Sequence, residues 1–198
     1  MKQQISFAQY RAIDLAILGV AMAISQIAIQ MAVSIWFEGK MHMMYFVSPV
    51  AIMVALVLMR WGPWAVIHAV AGGLLYAFLS NGSWKHFVIY GAGNAFALLA
   101  LIIFRISDKE KVRLSALGTM GFALCVQVLM LLGRAAMAAV LGFGYGECLG
   151  FVTTDALSIL FTVCIAWCIR RIDGLFEDQK HYLLRVQREQ STKGGEQL

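Results

Sequence analysis

Charge is what this sequence has least of. Only 14% of its 198 residues are Asp, Glu, Lys or Arg, against about a quarter in a soluble domain, while 61% are hydrophobic and the mean hydropathy is +0.75. A water-soluble core cannot shelter so much apolar side chain, so the composition excludes a soluble fold and calls for lipid. Proline is nearly missing, at two residues beside 18 glycines, and no repeat of fixed period occurs, which excludes collagen-like and solenoid arrangements. The four cysteines, Cys125, Cys148, Cys164 and Cys168, form no CxxC pair; lying in or beside apolar stretches, they read as small reduced core residues rather than a disulfide frame. No Gly-rich phosphate loop is present, so the chain cannot hydrolyse nucleotide by itself. Nor is there an HxxxH pair, a serine with a base, or an acidic metal cluster, so no enzyme, catalytic residue or cofactor is expected. His42, beside Met41, Met43 and Met44, lacks a second His or Cys at ligand spacing, which leaves no metal site.

What the sequence has instead is six apolar runs, at 13–37, 41–59, 63–79, 86–104, 114–143 and 146–169. About 20 such residues cross a bilayer, so the expected fold is an all-α integral membrane protein of six transmembrane helices. Arg60, Trp61, Gly62 and Pro63 separate the second run from the third with a charge, an interfacial aromatic and a break before proline. Ala21, Met22 and Ala23 resemble a signal-peptidase site, but apolar residues continue well beyond them, so helix 1 is expected to stay in the membrane. The six helices make one domain, 1–171. In the tail, 172–198, Ile172, Leu175, Phe176, Leu183 and Val186 suggest an amphipathic continuation of helix 6 along the membrane surface.

Positive charge is distributed unevenly over the loops. Thirteen Lys and Arg fall on the side of the two termini, only Lys40 and Lys85 on the other, and Arg134 lies inside helix 5. That bias places both termini in the cytoplasm. It also accounts for the net charge of +5 without nucleic acid as a partner. The outer loops are then short and edged by Trp36, Phe37, Tyr45, Phe46, Trp84 and Tyr145, which form either an interfacial belt or a platform for a flat ligand.

Ionisable groups within spans are costly and need a reason. Arg134 lies roughly 31 Å along the helix from Arg113, near the outer edge of the hydrocarbon, where it can snorkel or hold an anionic group. Asp155, about 12 Å in from Glu147, is too short to snorkel and needs a partner; Thr154, Ser158 and Thr162 extend its polar stripe into the bundle. Arg134 and Asp155 form either a structural ion pair or two sides of a ligand pocket. Asn94 shares a helix face with Tyr90, Gln127 shares one with Arg134, and Gln26, Gln30 and Ser34 make a stripe on helix 1; such amides commonly tie helices together. His68 reads as a hydrogen-bonded core residue. Because the charges gather toward the outside rather than along the full thickness, the pattern fits a binding protein open to the exterior better than a proton path. The candidate polar ligand groups are Arg134, Asp155, Asn94 and Glu147, with Trp84, Tyr90 and Tyr145 to cover an apolar face. An Arg beside carboxylates suits a zwitterion, or a ring bearing donors and an acid group.

Small residues form two stripes on helix 1: Ala21, Ser25, Ala28 and Ala32 on one, Gly19 and Ala23 on the other. They serve close internal packing or a flat docking face. Together with the passage SPVAIMVALVLMRWGPWAVIHAVAGGLLY, which has Pro49 early in helix 2, Gly62 in the turn and small residues from Ala69 to Gly73, this organisation resembles the substrate-binding S components of energy-coupling factor transporters. The resemblance implies a small micronutrient, a vitamin or its precursor, captured at the outer side of a bacterial cytoplasmic membrane between helices 4 to 6. It implies uptake driven by a partner transmembrane subunit and two ATPases, which dock through helix 1. The family carries two alanines four apart on that helix; here the matching positions are Gly19 with Ala23 or Ala21 with Ser25. The alternative expectation is a six-helix scaffold of the cell-shape machinery type, which binds proteins and no small molecule.

Overall fold

The computed structural model describes residues 6–36, 47–172, 174–179 and 181–185. Every regular element among them is helical. In chain order these are α1 (Phe7–Trp36), α2 (Val50–Trp61), a 3₁₀ turn (Gly62–Trp64), α3 (Ala65–Leu79) and α4 (Trp84–Asn94). A 3₁₀ stretch (Ala95–Ile102) continues α4 into α5 (Ile103–Ile106), followed by α6 (Lys109–Leu114), α7 (Ala116–Val140), α8 (Tyr145–Thr153) and α9 (Ala156–Ile169). Among the described residues five stretches are long and apolar enough to cross a membrane: Phe7–Val33, Val50–Leu79, Trp84–Ile106, Ala116–Val140 and Tyr145–Ile169. This is the composition of a multi-pass, all-helical membrane protein.

The stretch Val50–Leu79 is not straight. Gly62 sits at φ +60° and ψ −123°, a conformation costly for a residue with a Cβ, and Pro63 beyond it disfavours helix in the residue that precedes it. The chain therefore reverses. A Cβ on Gly72 would lie 2.6 Å from Val50 Cγ1, although the two residues would be roughly 33 Å apart on an unbroken helix. The reversal between runs two and three is thus real, and α2 and α3 form a hairpin. The expected start of the second helix at 41 cannot be compared, since 41–46 lie outside the described residues, as do Phe37, Tyr45, Phe46 and His42.

Within this hairpin α2 is the central element. Eleven of its twelve residues are buried, and a helix that is apolar at every position before Arg60 is stable there because it needs no polar face. α1 is the peripheral one: 11% of its most apolar stretch is buried, against 72% for Val50–Leu79. Ile17, Val20, Ile24, Met31 and Ile35 are all exposed on it, an apolar surface that suits lipid. Cys164 and Cys168 are also exposed, so they belong to the outward surface of α9 and not to the core as expected.

One end of the bundle gathers the beginning of α1, the α2–α3 turn, α6 and the segment after α9. Phe7 and Trp61 have ring centroids 5.5 Å apart, and Lys109 Nζ donates to the Met59 carbonyl at 3.3 Å. This basic end is held by Arg60, which donates to both Asp14 carboxylate oxygens at 2.6 and 3.0 Å and to the Gly174 and Leu175 carbonyls at 2.9 and 3.0 Å. Trp61 Nε1 donates to the same carboxylate at 2.6 Å. Asp14 was not among the residues singled out from the sequence.

The tail differs from the expected amphipathic continuation of helix 6. The chain turns at Gly174, φ +73°, and buries Phe176, Glu177 and Gln179 against the bundle. Tyr10 Oη donates to Gln179 Oε1 at 3.0 Å, Lys109 pairs with Asp178 at 2.8 Å and Arg185 with Glu177 at 3.0 Å. A left-handed glycine after a helix is a common stop; here it directs residues 174–179 and 181–185 back as a strap over the basic end. Val186 lies outside the described residues.

Candidate functional site

The site is assembled by one close approach of two helices. Gly93 on α4 meets Gly133 and Arg134 on α7: a Cβ on Gly93 would stand 2.8 Å from Arg134 Cα, and one on Gly133 would fall on the Gly93 carbonyl oxygen. Only glycine permits backbones this near, the small-residue contact by which membrane helices associate. Its consequence is that Asn94, next to Gly93, faces Arg134.

Arg134 Nε donates to Asn94 Oδ1 at 2.7 Å and Nη1 to Asp155 Oδ2 at 2.5 Å. Asn94 Nδ2 in turn donates to the Ala69 carbonyl on α3 at 3.2 Å. Gln127 Nε2 reaches the same Asp155 oxygen at 3.4 Å, and Thr162 Oγ1 donates to Gln127 Oε1 at 3.4 Å. A second strand of contacts joins α1: Ser48 Oγ donates to Gln26 Oε1 at 2.9 Å, and the Ser48 amide donates to Ser158 Oγ at 3.0 Å. Gln26 is fully buried and its Nε2 has no hydrogen-bond partner among the described residues. These polar groups lie in the half of the bundle away from the basic end.

Asp155 owes its position to a break in the last span. Thr153 and Thr154 hydroxyls donate to the carbonyls of Leu149 and Gly150, at 3.2 and 2.7 Å, a back-bonding that bends helices. Asp155 follows at φ −94°, ψ 13°, and α9 restarts from it, with the Ile159 amide donating to its carbonyl at 3.1 Å. The carboxylate thus sits at a helix discontinuity and at the head of α9, where the dipole favours negative charge.

Aromatic side chains close the site on the far side. The Arg134 guanidinium carbon lies 4.9 Å from the Tyr90 ring centroid, a cation–π distance. Tyr90 packs edge-on against Tyr76 at 4.5 Å and Phe151 at 5.8 Å. Phe151 also contacts Phe143 at 6.2 Å and His86 at 6.4 Å. Through Phe151 this cluster ties α8 to α4. Arg134 and Asp155 are 3% and 2% exposed, so the pair is sealed in this conformation.

Of the seven candidate ligand residues, the structure brings together Arg134, Asp155, Asn94 and Tyr90. It does not bring Glu147, Trp84 or Tyr145 to them. The Glu147 carboxylate accepts from the Gly144 amide at 2.9 Å and caps α8, while Trp84 and Tyr145 are 66% and 81% exposed. Thr154, half-buried, is occupied by its own helix, whereas Ser158 and Thr162 are fully buried. Tyr76, Phe143 and Phe151 were not singled out from the sequence; Phe151 falls four residues before Asp155, and that spacing on one helix face was the available signal.

On α1 the two stripes point differently. A Cβ on Gly19 would lie 3.6 Å from His68 Nε2, so Gly19 faces the bundle, with Ala23 half-buried beside it. Ala21, Ala28 and Ala32 are exposed, and Ser25 is half-buried. His68 is itself buried, its Nε2 3.0 Å from the Leu15 carbonyl. Among the described residues no three His, Cys, Asp or Glu side chains converge in a manner that could hold a metal ion.

Fold and site together define a multi-pass helical membrane protein with a charged network buried in one half. Comparison with protein-family models, curated proteins and solved structures yields no match.

Proposed function

We propose that this chain is the substrate-binding subunit of an energy-coupling-factor-type importer, which captures a small water-soluble vitamin or precursor at the outer half of the bundle. The observation that carries this reading is the convergence of Arg134, Asp155, Asn94 and Tyr90 from three separate spans. In the membrane such a group of ionisable and amide side chains is expensive, and it commonly marks a pathway or a binding site. The α2–α3 hairpin supports six crossings rather than five. The charge bias supports cytoplasmic termini, with the basic end inside. Delivery inward would rest on a transmembrane coupling subunit and two ATPase subunits in a bacterial cytoplasmic membrane, with Gly19, Ala21, Ala23 and Ser25 on α1 available for docking. The chain itself binds and does no chemistry.

The scaffold alternative draws on a different observation: Arg134 and Asp155 satisfy one another and are sealed, as a purely structural pair would be. Thermal-shift screening in mild detergent against a panel of water-soluble vitamins and precursors separates the two. A ligand at 100 times its dissociation constant adds about 2.7 kcal/mol, so the importer reading expects a saturable rise with at least one compound. No rise across the panel favours the scaffold.

A further inference from the structure

The charge balance of the buried site constrains what can enter it. Arg134 contributes one positive charge and Asp155 one negative, while Asn94 and Gln127 are neutral amides, so the network is net neutral. A ligand bearing only a carboxylate would leave two negative charges around one guanidinium, and one bearing only an amine would leave two cations around one carboxylate. Either case buries an unbalanced charge at low dielectric, which is strongly unfavourable. A ligand with both groups can enter between the two side chains, turn its acid to Arg134 and its cation to Asp155, and leave the site neutral with every charge paired.

The geometry also supplies a way in. The residue that pairs with Arg134 is the residue at which the last span breaks, and the half-helix on its far side, α8, has no buried residue. α8 packs along α7, and it meets α4 through ring contacts of Phe151 with Tyr90 and His86, at 5.8 and 6.4 Å, not through polar bonds to Arg134. Rotation about Thr154 and Asp155 would lift Phe151 off Tyr90, uncover the guanidinium and its aromatic face, and carry the carboxylate away from it. Neither group then loses its partner if a zwitterion takes up the gap.

We propose that the site takes a zwitterionic ligand with a flat ring, inserted between Arg134 and Asp155 by hinging of α8 at Thr154–Asp155, with the ring against Tyr90. This rests on the small-molecule reading above and narrows its substrate class.

The test is equilibrium binding to the full chain in nanodiscs of ring-bearing zwitterions with different charge separations, namely phenylalanine and 3- and 4-(aminomethyl)benzoate. Hydrocinnamate, toluate and benzylamine serve as single-charge counterparts. The wild type should bind at least one zwitterion about tenfold or more tightly than its counterparts, the scale of one charge-assisted hydrogen bond. In Asp155→Asn the preference should reverse toward the anion, and in Arg134→Gln toward the amine, a swap that a merely structural pair would not produce. The double variant Arg134→Gln/Asp155→Asn, which leaves no lone charge and so guards against misfolding of the single variants, should show no charge preference. Equal binding of zwitterions and counterparts, or no zwitterion binding at all, overturns the proposal. A vitamin hit of a single charge sign would then still sustain the importer reading. A zwitterion hit with an empty vitamin panel would retain this site and reject the vitamin class.

Discussion

Two buried arginines organise the two halves of this protein in different ways. At the basic end Arg60 has four acceptor contacts: two to the Asp14 carboxylate and two to backbone carbonyls of the strap. In the far half the Arg134 guanidinium, among the described residues, meets the side chains of Asn94 and Asp155 and the Tyr90 ring. Backbone acceptors are fixed by the fold and cannot turn toward a ligand, whereas side-chain acceptors can. Arg60 is therefore a lock among α1, the α2–α3 turn and the strap; Arg134 has partners that can exchange. The difference also separates what a membrane helix bundle needs for cohesion from what it can offer to a solute.

Breaking each pair should expose this contrast. Replacing Arg134 with Leu strands the Asp155 carboxylate and is expected to cost about 3–5 kcal/mol, while Arg134→Leu/Asp155→Leu should recover most of that, since a buried pair contributes little net stability against apolar residues. Thermal unfolding in one detergent, single against double variant, reads the recovery.

At the basic end the same experiment should behave otherwise. Arg60→Leu is expected to cost a similar about 3–5 kcal/mol, yet Arg60→Leu/Asp14→Leu should recover only part of it, because the Leu175 carbonyl and Trp61 Nε1 still lack partners and the Gly174 carbonyl keeps only Gln179 Nε2. Limited proteolysis near Arg185 should accelerate in both variants. Full recovery would mean that the strap does not depend on Arg60.

A smaller effect is expected from packing alone. Gly133→Ala drives a methyl into the Gly93 backbone and should cost about 1–3 kcal/mol by overpacking. It should also weaken ligand binding, since it displaces Asn94 from Arg134. The matching change at Gly121, where nothing lies within 4 Å of an added Cβ, should not lower the melting temperature, since alanine is the better helix former.

The smallest effect concerns pH. The Arg113 guanidinium donates to the Glu110 carboxylate and holds its pKa below the ordinary 4.5. A carboxyl depressed in the folded state adds stability above its unfolded value, and that contribution is lost as pH falls through the folded one. Melting temperatures of wild type and Glu110→Gln should therefore converge only as the pH is lowered below 4.5. Because Glu110 is 52% exposed, the gap at neutral pH should be small.

The hairpin break could be read from Gly62 and Pro63, whose backbone preferences act locally. Arg134 and Asp155 could be read because charge inside an apolar run is conspicuous wherever it falls. Asp14 escaped notice because it sits near the edge of the first run beside Arg11, and its partner Arg60 lies 46 residues away with no local pattern to announce it. The strap was misread for a related reason: periodicity at Ile172, Leu175 and Phe176 gave a face but not the direction of the chain, which Gly174 sets. Glu147, Tyr145 and Trp84 shared the right end of the bundle with the site, but sequence spacing does not tell a capping or outward side chain from one that turns inward.

The most direct test of a ligand-exchanging Arg134 against a locking Arg60 is to titrate the panel compound with the largest thermal shift into wild type, Arg134→Gln and Asp14→Asn. Arg134→Gln is expected to lose binding by about tenfold or more, while Asp14→Asn melts lower but binds with unchanged affinity. Undiminished binding by Arg134→Gln would rule out ligand exchange at Arg134.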